Sequence, residues 1–237
     1  MKIIKTQFGI IKFKPQVIYW GVKTINKEVA ARNLSDLKAI LDGEGIKFML
    51  IAGTLLGAVR EHDFISHDED IDLAFLEEDK QAVLDVLPKV LEIGFDIARY
   101  DNRGLLSVIR NGEYIDLYFF KPKEGEYGIR TCSGWLILEK FLTRYGQLDF
   151  KGEVYSVPLD YIGYLQCEYG ENWKTPIKWF DYKMPSWKQR LFAFREHLKE
   201  LAPSCVLEMI YKFKEPRFEM RYRNNINQYL SNGGSID

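Results

Sequence analysis

Asp68, Glu69, Asp70 and Asp72 put four carboxylates within five residues of the segment FMLIAGTLLGAVREHDFISHDEDIDLAF, Phe48 to Phe75. Asp70-Ile71-Asp72-Leu73 alternates polar with apolar. Alternate side chains of an extended strand share a face, so Asp70 and Asp72 point one way while Ile71 and Leu73 enter the core. Two carboxylates roughly 6–7 Å apart along a strand repel each other unless positive charge sits between them. Mg²⁺ suits that position, since it prefers oxygen ligands and often binds substrate phosphates as well; Mn²⁺ is the alternative. An acidic run can also simply face water. Asp is depleted in strands, however, so a pair at strand spacing asks for a reason.

A third carboxylate, Asp116, interrupts the apolar run Tyr114-Ile115-Asp116-Leu117-Tyr118-Phe119-Phe120. A buried carboxylate must be protonated, paired or metal-bound. If its strand lies beside that of Asp70 and Asp72, the three acids surround the same cation; a salt bridge to Arg110 or Arg103 is the competing explanation. Such a set can polarise a phosphate, orient an incoming oxygen and stabilise a leaving phosphate. Ahead of the acids, Gly53-Thr54 opens a short helix whose free N–H groups and positive end suit a phosphate. Gly53 lets that phosphate approach the backbone, although an ordinary strand-to-helix turn has the same appearance. Arg60 either adds charge to the phosphate site or pairs with Glu61 or Asp63.

The elements that must hold these groups follow from periodicity. Residues 23–42 read as a helix with Ile25, Val29, Leu37 and Leu41 on one stripe, ended by Gly43 and Gly45. Lys47 to Ala52 reads as a buried strand, Thr54 to Glu61 as a short helix, and Ile71 to Phe75 as the second strand. A helix over 78–93 contains Pro88, which predicts a kink. Strands are expected at 95–100, 105–110 and 114–120, with Asn111-Gly112 as the hairpin turn. Helices are expected at 159–169 and 186–200, joined by an aromatic-rich connection from Trp173 to Trp187. The expected organisation is a basic segment over 1–22, an α/β catalytic core over 23–150, and a mainly helical, aromatic-rich region over 151–237.

Composition bounds the rest. A chain of 237 residues with 46% hydrophobic and 28% charged content can bury a substantial core, as a globular protein does. A net charge of −1 gives no global case for nucleic-acid binding, and no reader motif is present. The absence of an 18-residue apolar run or signal peptide predicts a soluble, cytoplasmic protein. Cys132, Cys167 and Cys205 are widely spaced, which argues for reduced thiols rather than a disulfide framework or structural zinc. Charge is uneven: Lys2, Lys5, Lys12, Lys14, Lys23 and Lys27 precede any acid, and Lys212, Lys214, Arg217, Arg221 and Arg223 lie among Tyr211, Phe213, Phe218 and Tyr222. These basic ends either touch an anionic membrane peripherally, at its inner face, or form a solvated surface whose aromatics pack on the body. Oligomeric state is not legible.

The run Gly53-Thr54-Leu55-Leu56-Gly57-Ala58-Val59-Arg60, then Phe64-Ile65 and Asp68-Glu69-Asp70-Ile71-Asp72, resembles the signature of the LicD family, which includes bacterial phosphocholine transferases and resembles fukutin and fukutin-related protein. Phe150-Lys151-Gly152, Val157-Pro158, Tyr164-Leu165, Tyr169-Gly170, Trp173 and Pro176 resemble the family's C-terminal pattern, so the resemblance spans roughly residues 30–180. It implies a nucleotidyltransferase-type mixed sheet with flanking helices. It also implies Gly53 and Thr54 as the phosphate turn, and Asp70, Asp72 and Asp116 as metal-binding and catalytic acids. Where the family usually has His directly after the Arg, this chain has Glu61 followed by His62. Where it commonly has Pro-Trp, this chain has Ser66-His67, and Glu69 is the middle acid of the cluster. His67 therefore occupies a rim position beside the acids and is a candidate substrate contact.

The implied chemistry is Mg²⁺-dependent transfer of a phospho-alcohol group, phosphocholine-like, from a CDP-linked donor to a hydroxyl of a glycan or glycolipid acceptor in cell-surface polysaccharide biosynthesis, releasing CMP. Asp116 would be a ligand or the base. Trp173, Trp179, Phe180 and Tyr182 either hold a quaternary ammonium by cation–π contact or belong to the core. The alternatives are a nucleotidyltransferase that modifies a small molecule with an NTP, and an inactive nucleotide-binding module.

Overall fold

A computed structural model describes residues 1–18, 23–101, 103–176, 185–201 and 204–237, without the side chains at 196–197, 199–201, 204–205, 207–208 and 211–213. The chain runs β1 (Lys2–Thr6), β2 (Gly9–Phe13), α1 (Lys27–Gly43), β3 (Met49–Leu50), α2 (Ala52–Arg60), β4 (Asp70–Leu76), a 3-10 turn (Glu77–Asp79) and α3 (Lys80–Glu92). It continues through β5 (Asp96–Asp101), β6 (Leu105–Arg110), β7 (Glu113–Pro122), β8 (Ile129–Cys132), β9 (Trp135–Leu138) and α4 (Lys140–Thr143). It ends with β10 (Tyr145–Phe150), β11 (Glu153–Pro158), α5 (Tyr161–Tyr169), α6 (Ser186–Leu201) and α7 (Ser204–Ser231).

The architecture is mixed α/β around a central seven-stranded sheet in the order β3-β4-β7-β6-β5, with β8 pairing the end of β7 and β9 pairing β8. β4 and β7 are parallel, and the pairs β3–β4, β6–β7 and β5–β6 are antiparallel. Ile71, Leu73 and Phe75 of β4 are buried with Ile115, Leu117 and Phe119 of β7, which leaves Asp70, Asp72 and Asp116 on the opposite face of the pleat. α1 begins where the Asn26 side chain accepts the Val29 N–H at 3.2 Å, and it buries Ala30, Leu34, Leu37 and Leu41 on one stripe. The β6–β7 turn has Asn111 and Gly112 at φ 53° and 81°, the left-handed conformations that a two-residue hairpin requires.

The structure adds strands that periodicity did not show. The 1–22 segment contains the β1–β2 hairpin, packed against α3 through buried Ile4. Between 129 and 158 lie four strands, and the expected division near 150 falls inside the β10–β11 hairpin. The expected strand over Lys47–Ala52 contracts to the two-residue β3, because Ala52 already begins α2. The basic far end is a 28-residue helix, α7, with Pro216 inside it. Among the described residues no helix is long and apolar enough to cross a membrane. Cys132 and Cys167 are buried free thiols.

Candidate active site

Strand register assembles the acidic site. Asp72 on β4 stands directly opposite Asp116 on β7, and Ser107 on β6 stands opposite Asp116 from the other side. Arg99 on β5 faces Ser107, so one row across four strands reads Asp72, Asp116, Ser107, Arg99. Arg99 Nη2 donates to Asp116 Oδ2 at 2.7 Å and Arg99 Nε donates to Ser107 Oγ at 3.0 Å. The Ser107 hydroxyl donates to Asp116 Oδ1, and the Tyr118 hydroxyl reaches Asp116 Oδ2 at 3.2 Å. The ion-pair partner of Asp116 is therefore Arg99 and neither of the two expected arginines. Arg110 is spent on Asp36 and Asn33 beside α1, and Arg103 on Asp101 two residues away.

Arg99 joins the row because of a bulge. The β5–β6 ladder steps from Ile97 opposite Val108 to Arg99 opposite Ser107, leaving Ala98 as the extra residue. In an unbroken ladder Ala98 would face Ser107 and Arg99 would point through the sheet to the other side. The carbonyl of Ala98 instead accepts the Gln16 N–H at 2.8 Å, so the bulge leaves that buried acceptor satisfied.

The N-terminus of α2 is tied to the same acids. The left-handed residue is Ala52, at φ 47°, and its N–H donates to the buried Tyr164 hydroxyl oxygen at 3.0 Å. The sharp turn thus falls one residue before Gly53. The Gly53 N–H donates to the Asp72 carboxylate, and the Asp72 N–H donates to Thr54 Oγ1 at 2.9 Å. A Cβ on Gly53 would lie 2.4 Å from Asp68 Oδ2, so the missing side chain makes room for the Asp68 carboxylate. Gly57 has a different reason: a Cβ there would meet the Asp63 carbonyl oxygen at 2.6 Å, where α2 presses on the loop that leads to the acids.

One carboxylate oxygen from each of Asp70, Asp72 and Asp116 lies within 4.8 Å of the others. Asp72 and Asp116 are buried and Asp70 is half-buried. Burial drives the Asp70 carboxyl well above the usual range, reinforced by the negative charges of Asp116, Asp68 and Glu69 and opposed by Arg99. Burial likewise raises Asp72, with Asp70, Asp68 and Asp116 adding to it and the Gly53 N–H opposing. Asp68 is pushed up to about 6, again chiefly by burial. Converging hard oxygen donors with a surplus of negative charge fit a divalent cation, and their mutual repulsion is what such an ion relieves.

The other expected contacts lie further out. Arg60 bonds to Glu61 at 2.8 Å and to the Trp173 carbonyl at 3.2 Å, and its Nε is buried without a hydrogen-bond partner. Asp63 goes instead to Lys151 and Lys27, at 2.6 and 2.9 Å; burial opposes its ionisation, but those ion pairs hold its pKa at about 2. His67 is exposed at the rim, and His62 is exposed with φ 54°. Trp173 is buried, as the core reading expects; Trp179, Phe180 and Tyr182 lie outside the described residues.

Sequence reasoning missed Ser107 and Arg99, and it also missed an aromatic wall. Trp135 packs edge-on to Tyr118 at 5.0 Å between ring centres and tilts against Tyr222 of α7 at 5.7 Å. Trp135 Nε1 donates to Glu168 Oε2 at 3.2 Å, and burial raises the Glu168 carboxyl to about 7 despite that bond. Tyr118 thus links Asp116 to a wall that ends in a second carboxylate. Its only local signal was polar-aromatic alternation in β7. On the basic far end, Arg223 is bound by Glu126 and Glu219 and Tyr222 packs on the body.

Residues 45–160 match the model of the LicD/FKTN/FKRP nucleotidyltransferase domain, a segment that holds α2, all three acids and the Arg99 row. Over residues 45–160 the chain is similar to the LicD/FKTN/FKRP family. The chain is 28% identical over 168 residues to the mouse protein named ribitol-5-phosphate transferase FKTN, covering 66% of this chain and 34% of that one. It is 29% identical over 153 residues to human ribitol 5-phosphate transferase FKRP, covering 55% of this chain and 29% of the relative. The chain thus spans about a third of the length of these relatives. Among solved structures it is similar to ANT(2″)-Ia in complex with adenylyl-2″-tobramycin, with 14% identity, a TM-score of 0.44, and coverage of 82% of this chain and 99% of the other.

Proposed function

We propose that this chain is a divalent-cation-dependent phosphotransferase that moves a phosphorylated alcohol from a CDP-linked donor to a glycan hydroxyl and releases CMP. The observation that carries the reading is the convergence of Asp70, Asp72 and Asp116 within 4.8 Å behind the N-terminus of α2, in a chain homologous to two proteins named ribitol-5-phosphate transferases. Asp70, Asp72 and Asp116 hold Mg²⁺ or Mn²⁺, which supplies charge neutralisation and polarisation at the phosphates. Asp116 acts as a ligand, one of its oxygens converging with those of Asp70 and Asp72 while bonds from Arg99, Ser107 and Tyr118 fix its orientation. Thr54 and Gly53 hold the acids in place from α2, leaving the phosphate next to the first turn of that helix. Arg60 and His67 lie at the rim as contacts for the nucleotide or the acceptor. The aromatic wall from Tyr118 through Trp135 to Tyr222 bounds the side on which the transferred alcohol rests. In line with phosphoryl transfer in general, positioning and charge do most of the work: the acceptor oxygen bonds to the distal phosphorus as the bond to CMP breaks. The transferred group is a polyol phosphate or phosphocholine, the acceptor belongs to cell-surface polysaccharide biosynthesis, and the reaction is cytoplasmic.

The test is incubation with CDP-ribitol, CDP-glycerol, CDP-choline and CDP-ethanolamine and Mg²⁺, scoring CMP. Release from one donor, lost on chelation, is the expected result. Pyrophosphate release from an NTP with no CMP from any donor would instead identify a nucleotidyltransferase.

A further inference from the structure

α6 carries an apolar stripe that nothing in the described chain covers. Trp187, Leu191, Phe194 and Leu198 are 61%, 60%, 59% and 49% exposed. Their spacing of four, three and four residues places them within an arc of roughly 60° on a helix turning 100° per residue. Large apolar side chains scattered singly on a surface need no explanation, but four on one stripe do. Among the described residues α6 makes no extensive contact with another element, so the stripe is not part of the core. The second feature is charge. Lys188 and Arg195 fall on one flank of the stripe and Arg190 on the other, and all three are exposed. The order of residue types, with tryptophan at the start of the helix and cationic stems along both edges, is that of a helix lying in the plane of a lipid interface.

We infer that α6 docks on an anionic membrane surface, with Trp187, Leu191, Phe194 and Leu198 among the acyl chains and Lys188, Arg190 and Arg195 at the headgroups. A second copy of this chain on the same stripe would set like-charged flanks against each other, whereas an anionic lipid surface complements their charge and suits the tryptophan at the start of the helix. This contact is separate from the acidic site and does not depend on which donor that site uses.

The experiment is co-sedimentation of the full chain with vesicles of phosphatidylcholine alone and of a two-to-one mixture with phosphatidylglycerol. The variants are a Leu191→Glu/Phe194→Glu pair and an Arg190→Glu/Arg195→Glu pair, each checked by circular dichroism. Wild-type protein should partition onto the anionic vesicles and far less onto the neutral ones, with added salt weakening binding. Each pair should lower partitioning by about tenfold or more, because burial of two large apolar groups or attraction of two cations is lost. CMP release with a water-soluble acceptor should be unchanged in both. Failure of the wild type to bind the mixed vesicles, or equal binding by the Leu191→Glu/Phe194→Glu protein, would overturn the inference. So would a wild-type dimer that the apolar pair dissolves without any vesicle binding, which would make a second copy the occupant.

Discussion

The β4–β7 centre and helix α6 are opposite solutions to the same problem of unpaired groups. At the centre the surplus is of negative charge: Asp70 and Asp72 are crowded by the fold against Asp116, whose one cation is Arg99, and burial and repulsion raise Asp70 and Asp72. On α6 the unpaired groups are apolar, and the fold leaves them in water. In each region the imbalance is tolerated because the surrounding structure determines the geometry. The centre is clamped by register, a bulge and the α2 contacts, and α6 is a regular helix whose stripe follows from spacing alone. Each imbalance is also relieved by a different class of ligand, a hard cation in one place and a lipid surface in the other.

Four experiments would break or sharpen that comparison. Asp72→Asn should reduce CMP release by about a thousandfold or more, as expected when a ligand for the stabilising charge is removed. In chelator its Tm should equal or exceed the wild type, because a buried repulsive charge has gone; a lower Tm would show that the centre is not electrostatically strained. Arg99→Leu comes next. It strands Asp116 without its cation and should cost about 2–4 kcal/mol in urea unfolding, with activity falling alongside. An unfolding midpoint like the wild type's would mean the row across the sheet is incidental. Thr54→Val keeps the shape but removes the acceptor for the Asp72 N–H, and should cost about 1–3 kcal/mol.

The smallest effect is at the aromatic wall. Glu168 has its pKa raised from 4.5 to about 7, mainly by burial. Between those values the native state holds more protons than the unfolded chain, so this residue makes stability fall as pH rises across that window. Glu168→Gln should flatten that part of a stability–pH curve. An unchanged slope would place Glu168 in contact with water. Asp63 supplies the opposite sign: its pKa is lowered from 3.8 to about 2, so its contribution is full above about pH 4 and lost as pH falls through 2.

Much of the site was legible because its signals are local. Alternation in Asp70-Ile71-Asp72-Leu73 is enough to place two carboxylates on one face, whatever the strand pairs with. Asn111-Gly112 marks its own turn through backbone preference. The helices over 159–169 and 186–200 appear nearly as expected, as α5 and α6. The β8 and β9 strands were missed because they are four residues each: β9 is apolar and buried throughout, and β8, Ile-Arg-Thr-Cys, buries its polar residues too, so neither shows an alternation to read. α7 escaped because its basic and aromatic residues do not sort onto a single stripe.

What the sequence determined by itself is which residues can do the chemistry: the acids, their spacing, and the Gly53-Thr54 run that precedes them. Only the tertiary structure decided how they meet. The register that sets Asp72 opposite Asp116 joins strands more than forty residues apart, and no local preference encodes such a pairing. The choice of Arg99 over Arg110 and Arg103 depends on one extra residue, Ala98, whose carbonyl is taken up by Gln16 far along the chain. A single-residue shift would have turned that guanidinium to the other face of the sheet.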